Sequence, residues 1–431
     1  MFKYLPRMKS YCHEQDNREP KKFFSASNER RGHKNVRKAI RSGLSVMLAA
    51  SLMMIAAFAV AVTAAVPESI SVFSDEADER IGEYGILSYD GGDTAKVSLL
   101  GLTLGTVRVD VFERQELIPG GMPFGVKFFT EGLVAVGISA VNTASGAKSP
   151  ASEAGIKKGD IITHVNGTKV SSSEEFIKAV SENGAKSLEL TVVRGADTLS
   201  LSVSPVLSSE DGAYRIGLWV RDSTAGLGTV TYIDPETGAF GGLGHGVNDS
   251  DTGILMPLGN AAVVDVEVYD VVKGRANAPG ELRGRFSAVR KGMLVANTEH
   301  GVFGTLTGGY DPSEAMPIAL ADQVHTGKAY IRTTVDSSKG PQIYEIDITA
   351  VRPDDEEGKN FSIKVTDKEL LGISGGIVQG MSGSPVIQDG KLIGAVTHVL
   401  VSDPERGYGI AIENMLAQTY SPSFSENLSA A

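Results

Sequence analysis

The chain has 431 residues, a length that suggests two or three domains at roughly 150 residues each, and its 42% hydrophobic and 22% charged residues exclude a wholly disordered chain and a multi-pass membrane protein. The net charge of −11 is unevenly spread: residues 1–42 hold 12 Lys/Arg against 4 Asp/Glu, which leaves −19 for the rest. An acidic body excludes a nucleic-acid binder, whose affinity rests on basic surface. Fifty glycines among short Val/Ile/Thr runs point to a turn-rich β protein. The single cysteine, Cys12, precedes everything else of interest, so disulfides, thiolate metal sites and a cysteine nucleophile are excluded from the main body.

In chain order, a basic tail (1–42) leads into 24 residues without a charge (43–66). As a helix these would measure about 36 Å, enough for a hydrocarbon core of roughly 30 Å. The basic flank lies on the N-terminal side, so residues 1–42 are expected in the cytoplasm and 67–431 outside it. Ala61-Val62-Thr63-Ala64-Ala65 also offers small residues at which a signal peptide could be cut. Residues 67–123 alternate apolar and polar in Val97–Leu100 and Val107–Val111 and read as a small β connector that ends near Pro119-Gly120-Gly121.

Residues 124–206 read as a strand (Leu133–Val136), a short helix start at Ser149-Pro150, Lys158-Gly159-Asp160-Ile161-Ile162, an Asn166-Gly167 turn, a helix from Ser173 to Asn183 and two alternating strands. The run SPASEAGIKKGDIITHVNG resembles a PDZ domain. The resemblance implies a peptide partner added as a strand at a sheet edge, with Gly132, Leu133 and Val134 as the loop that holds its carboxylate.

Residues 207–431 show many short strands between Gly, Asp and Pro turns, which suits two small antiparallel barrels. Gly380-Met381-Ser382-Gly383-Ser384-Pro385 resembles the G-x-S-G-x-P signature of chymotrypsin-like serine proteases. Flanking glycines permit the tight turn that a nucleophile needs. In that resemblance Ser382 is the nucleophile, and the amides of Gly380 and Ser382 form the oxyanion hole. A strand, hairpin turn and strand follow over Val386–Val396. For the base, His245 lies well before Ser382 between small residues, in the order His…Asp…Ser. His398 lies near Ser382 in sequence, and its reading is a histidine beside the pocket. Local pattern does not choose an acid among Asp249, Asp251, Asp265, Asp270, Asp347 and Asp367.

The segments TYIDPETGAFGGLGHG and GGIVQGMSGSP are similar to the SpoIVB-type peptidases, the stage IV sporulation protein B family, which shares the order of membrane segment, PDZ domain and serine peptidase domain. This resemblance implies His245 as base, Ser382 as nucleophile and Asp367 as acid. It also implies a mainly β fold with a trypsin-like double barrel over 207–431. The activity it implies is a membrane-anchored extracytoplasmic serine endopeptidase that cuts itself and a membrane-bound regulator of an intramembrane protease, triggering activation of a late sporulation sigma factor. Its place would be the space between mother cell and forespore, with self-cleavage in the connector after Val66. Two other readings are a non-enzymatic PDZ adaptor on a degenerate protease fold and an HtrA-type quality-control protease, although in the latter the PDZ domain follows the protease domain. H-E-x-x-H and the P-loop motif are absent, so neither a metal nor a nucleotide cofactor is expected.

Overall fold

The computed structural model describes residues 26–419 apart from 65, 68, 100, 354 and 356, together with 421, 424, 426 and 428. Residues 1–25 of the basic tail, and Cys12 with them, lie outside the described residues. Two compact units divide the chain: Met1–Val66 with Leu99–Leu104, and Pro67–Ser98 with Gly105–Ala431.

The first unit is built on one helix, α1 (Ala26–Ala64). Its stretch Ile40–Ala61 has a mean hydropathy of 2.3 and is long and apolar enough to cross a membrane. None of that stretch is buried in protein. The helix begins earlier than the apolar stretch because the Arg- and Lys-rich residues before it are themselves good helix formers.

The second unit begins with β1 (Ser69–Phe73), α2 (Ala77–Gly82), β2 (Leu87–Tyr89), β3 (Thr94–Leu99) as far as Ser98 and β4 (Leu102–Phe112) from Gly105 onward, in a four-stranded sheet of order β1-β4-β3-β2. This connector is no loose linker. Phe73 is 1% exposed and packs with Leu117, Tyr232, Ile412 and Leu416, a burial that contributes roughly 1.5–3 kcal/mol. Arg80 pairs with Asp322, and Arg114 meets Asp75 and Glu76.

β5 (Glu116–Pro119) and the long β6 (Pro123–Ile138) follow. The PDZ-like unit comprises the hairpin of β7 (Val141–Thr143) and β8 (Gly146–Lys148), then α3 (Pro150–Glu153), β9 (Ile161–Val165), β10 (Thr168–Lys169), α4 (Ser173–Asn183), β11 (Leu188–Arg194) and β12 (Asp197–Val203). Its strands run β12-β11-β9-β6. A capping box starts α4, with the Ser172 hydroxyl accepting the Glu175 N–H and the Glu175 carboxylate accepting the Ser172 N–H. Phe176 and Val180 of α4 then face Leu133, Ile162 and Leu190.

Next come β13 (Val206–Leu207), β14 (Tyr214–Arg215), β15 (Leu218–Ile233), β16 (Ala239–Gly242), β17 (Leu258–Val272), β18 (Glu281–Thr298) and β19 (Gly301–Leu306). Six strands close a first barrel in the cyclic order β6-β17-β18-β19-β16-β15. After β20 (Met316–Pro317), a second closed barrel is made by β21 (Gly327–Thr333), β22 (Gln342–Val351), β23 (Phe361–Val365), β26 (Asp403–Ala411), β25 (Lys391–Leu400) and β24 (Pro385–Gln388), with α5 (Lys368–Ser374) before β24 and α6 (Ile412–Thr419) after β26. Period-two burial fills it: Tyr344, Ile346 and Ile348 of β22 face Phe361, Ile363 and Val365 of β23. The fold is therefore the mainly β, double-barrel one expected.

Strands β6 and β15 each pair both within the PDZ-like unit and within the first barrel. β6 pairs with β17 through Phe124–Thr130 and with β9 through Leu133 and Val134. β15 pairs with the PDZ-like end of β6 through Leu218–Arg221 and lies in the first barrel from Ser223 onward. Two continuous strands thus join the PDZ-like unit to the barrel without a linker.

Candidate active site and peptide groove

The turn between α5 and β24 carries Ser382. Buried Met381 plugs it into the second barrel, and its carbonyl accepts the Ser384 hydroxyl at 2.7 Å. From β15, the Thr229 N–H donates to Ser382 O at 3.0 Å, the Thr229 hydroxyl to Gly380 O at 2.8 Å and the Thr231 hydroxyl to Gly383 O at 2.8 Å. The N–H groups of Met381, Gly383 and Ser384 are likewise used, on Val378, Val396 and Met381 carbonyls. Two amides of this turn, those of Gly380 and Ser382, donate to no acceptor among the described residues. Both residues are reached by solvent. A pair of fixed, unspent amides around a serine is what an oxyanion requires.

His245 follows β16. Its Nδ1 lies 2.9 Å from Gly246 O, which suits Nδ1–H as donor and leaves Nε2 with its lone pair. The loop beyond it is tied down by Asn297, which accepts the Val247 N–H at 2.8 Å and donates to Val247 O and Met256 O at 3.0 Å each. Ser382 and His245 each lie against one of two adjacent residues of β25. The Ser382 hydroxyl donates to Thr397 O at 2.8 Å, and the His245 ring lies 5.0 Å from that of His398, tilted by 36°. Ser382 and His245 share no hydrogen bond in this state, so the hydroxyl must turn from Thr397 O to the imidazole before attack. Catalytic hydrogen bonds are often this loose before substrate arrives.

Asp367 is elsewhere in its contacts. It is the N-cap of α5, with Oδ1 accepting the Leu370 N–H at 3.0 Å, and it makes no bond to His245. No carboxylate is among the groups that shift His245. The structure does not join the expected acid to the base by a bond: the group at His245 Nδ1 is Gly246 O, and Asp367 caps α5.

The carboxylate loop is corrected. Leu133 and Val134 are fully buried, and β6 is flanked there by β9 on one side and β15 on the other, so no peptide can add at Gly132-Leu133-Val134. The open edge belongs to β15. Between Ile216-Gly217-Leu218-Trp219-Val220 and the Phe176, Ile177 and Val180 face of α4 lies a groove of about 510 Å³. Its turn needs Gly217, whose φ is +72° and where an added Cβ would stand 2.1 Å from Ser139 O. The apolar-Gly-apolar pattern of Ile216-Gly217-Leu218 was the available signal, but it lies beyond the expected boundary at 206.

Comparison with known proteins now bears on this geometry. The SpoIVB peptidase S55 family model matches residues 212–416. By this match residues 212–416 are similar to the SpoIVB serine peptidases. A PDZ domain model matches residues 143–194. Regulator of sigma-W protease RasP of Bacillus subtilis is 39% identical over 67 residues, 16% of each chain. Serine protease HTRA1 of Xenopus laevis is 40% identical over 57 residues, 13% of this chain and 12% of that one. The chain thus spans less than a fifth of the length of either relative. Among solved structures, the HtrA-type protease AlgW with a tripeptide aligns at a TM-score of 0.28 and 16% identity, covering 46% of this chain and 56% of that one. The PDZ domain of an SdrC-like protein from Listeria monocytogenes aligns at 0.18 and 20% identity, covering 21% and 87%.

The two histidines of the site are both held toward neutrality. Burial lowers the pKa of His245, opposed by its bond to Gly246 O. Burial, then the His245 charge, then Lys359 lower His398 to about 4. A base must be neutral to accept a proton, so the acid limb of kcat/KM is expected below pH 6.5, the ordinary histidine value. A pH profile on a peptide substrate checks this, and a limb at 7 or above contradicts it. Both imidazoles bind protons less readily folded than unfolded. The stability that His398 contributes is therefore present above about pH 6.5 and lost as pH falls toward 4, and His245 acts in the same direction.

The role of Asp367 has its own test. Asparagine caps helices as well as aspartate, so Asp367→Asn is expected to keep kcat within a few-fold, and Asp367→Ala to cost about 1 kcal/mol of stability. An orienting carboxylate would instead lose about 10⁴-fold in kcat on conversion to asparagine. Kinetics and thermal melts of the two variants separate these outcomes.

Proposed function

We propose that the protein is a membrane-anchored serine endopeptidase whose substrates are itself and a membrane-bound regulatory protein. The observation that carries this reading is the pair of unspent amides, Gly380 and Ser382, at a serine that bonds Thr397 O while His245 lies against the next residue, His398. His245 takes the Ser382 proton, the oxygen attacks the peptide carbonyl, and the two amides receive the developing oxyanion. His245 then gives the proton to the leaving amine, and water releases the acyl group by the same route in reverse. The groove between β15 and α4 takes an extended peptide segment along the free edge of β15.

In this reading α1 anchors the chain with its basic end in the cytoplasm and the catalytic domain outside. The regulator it cuts controls an intramembrane protease that activates a late sporulation sigma factor, in the space between mother cell and forespore. β1–β5 occupy most of 67–123, and a scissile segment must be extended and accessible. A self-cut before Ser69 would free the catalytic unit without opening the connector sheet.

The test expresses the full chain and its Ser382→Ala variant in membranes, followed by immunoblot and N-terminal sequencing. Wild type shortened before Ser69 with the variant intact is the expected result. Equal shortening of both assigns the cut to a host enzyme. Shortening of neither, with no fluorophosphonate labelling of purified wild type, overturns the peptidase reading in favour of a PDZ adaptor.

A further inference from the structure

Adjacent residues of β15, Arg221 and Asp222, reach the base loop and the groove wall. The Arg221 guanidinium forks, Nη1 to Asp249 and Nη2 to Asp251 at 2.6 Å. The Asp249 side chain is fully buried. Its other oxygen accepts the N–H groups of Asp251 and Thr252, at 3.1 and 2.8 Å, and the Thr252 hydroxyl at 2.8 Å. This knot folds the loop that leaves His245 and returns at Met256. Arg221 is the only ion-pair partner of Asp249 and of Asp251 among the described residues. The next residue, Asp222, accepts the N–H of Ser173, the first residue of α4, at 2.7 Å. Asp222 sits where the register of the β15–β6 ladder shifts between Arg221 and Ser223, and one short stretch of backbone holds the His245 loop through one side chain and the groove helix through the next. The same stretch continues from Leu218-Trp219-Val220, the groove's strand edge.

We propose that Arg221 is a positioning residue for the general base, and that through Asp222 the loop it holds is coupled to the α4 wall of the peptide groove. This rests on the reading of His245 as base. Without Arg221 the buried Asp249 carboxylate has no counter-charge, and the loop relieves that by opening to water. Its opening displaces His245 from its place against His398, and a misplacement of about 1 Å is worth roughly 10²-fold in rate. A peptide seated on the β15 edge stiffens the backbone that carries both side chains, so groove occupancy and base placement favour one another.

The experiment measures amide hydrogen exchange over residues 246–256 and the first turn of α4, together with kcat and KM on a fluorogenic casein substrate. It compares wild type, Arg221→Gln, Arg221→Lys and Asp222→Asn. Arg221→Gln should raise exchange in the loop and lower kcat 10- to 100-fold with KM nearly unchanged. Arg221→Lys, which meets one carboxylate but not both, should fall between. Asp222→Asn should raise exchange in α4 and in the loop alike, although among the described residues its carboxylate bonds only Ser173 and Ser223 and not the loop. Asp251→Asn removes the more exposed arm and reports the same signature, smaller, if Arg221→Gln does not fold. Loop exchange unchanged in Arg221→Gln, or raised only in α4 by Asp222→Asn, overturns the proposal. An inert wild type with the predicted exchange changes instead overturns the peptidase reading alone.

Discussion

Replacing Ser382 with alanine is expected to lower kcat by about 10⁶-fold and to abolish labelling by a fluorophosphonate. The hydroxyl makes one hydrogen bond, to Thr397 O, and the turn around it is held by other groups, so the melting temperature should hardly move. The neighbouring hydroxyl cannot take over: Ser384 is fully buried and donates to Met381 O. His245→Ala should lose nearly as much, and the double variant little more, because nucleophile and base act as one unit. Active-site labelling with kinetics on the same preparations checks all three. Labelling retained in Ser382→Ala would remove that residue from the role.

The second large effect is expected at Gly383. Its φ is +93°, and an added Cβ would stand 2.0 Å from Thr229 O and 2.4 Å from Leu243 N. Both contacts are backbone, on the strand that clamps the nucleophile turn and on the residue that begins the His245 loop, so neither yields cheaply. Gly383→Ala should push the turn away from β15 and misplace the Ser382 amide. The loss should be at least the roughly 10²–10³-fold in kcat that follows removal of one oxyanion donor, with a lowered melting temperature. A variant with wild-type kcat would show that the contact between turn and strand does not set the geometry of the site. Thr229→Val is the milder companion: it keeps the backbone bond to Ser382 O and removes only the hydroxyl bond to Gly380 O.

The nucleophile turn was legible because its chemistry is local: the glycines that permit the turn, the serine and the following hairpin are consecutive. The double barrel was legible from strand length and turn spacing. The acid was not, because orientation of an imidazole is a matter of tertiary distance, and the resemblance supplied Asp367 where the chain places a helix cap. The peptide groove was misplaced for a topological reason. The glycine turn and edge strand that line it, Gly217 and Leu218–Val220, come after the compact PDZ-like run, while Leu133 and Val134, adjacent to that run, are interior. Arg221 with Asp249 and Asn297 with Val247 pair residues too distant in sequence for any local pattern to join.

The pairing of β6 with β15 also bears on the order of assembly. The two are antiparallel neighbours, and Ser139–Gly217, most of the PDZ-like unit, is the loop between them. Closing an unstructured loop of that length costs on the order of 4 kcal/mol of chain entropy before a single pair of the ladder forms. When the PDZ-like unit folds first, it brings Ile138 and Leu218 side by side and meets that cost in advance. The ladder can then zip from Leu218 toward Thr229 and close the first barrel. A substitution that unfolds the PDZ-like core, such as Leu190→Asp, should therefore leave the nucleophile turn without its Thr229 clamp, though it lies in a different lobe.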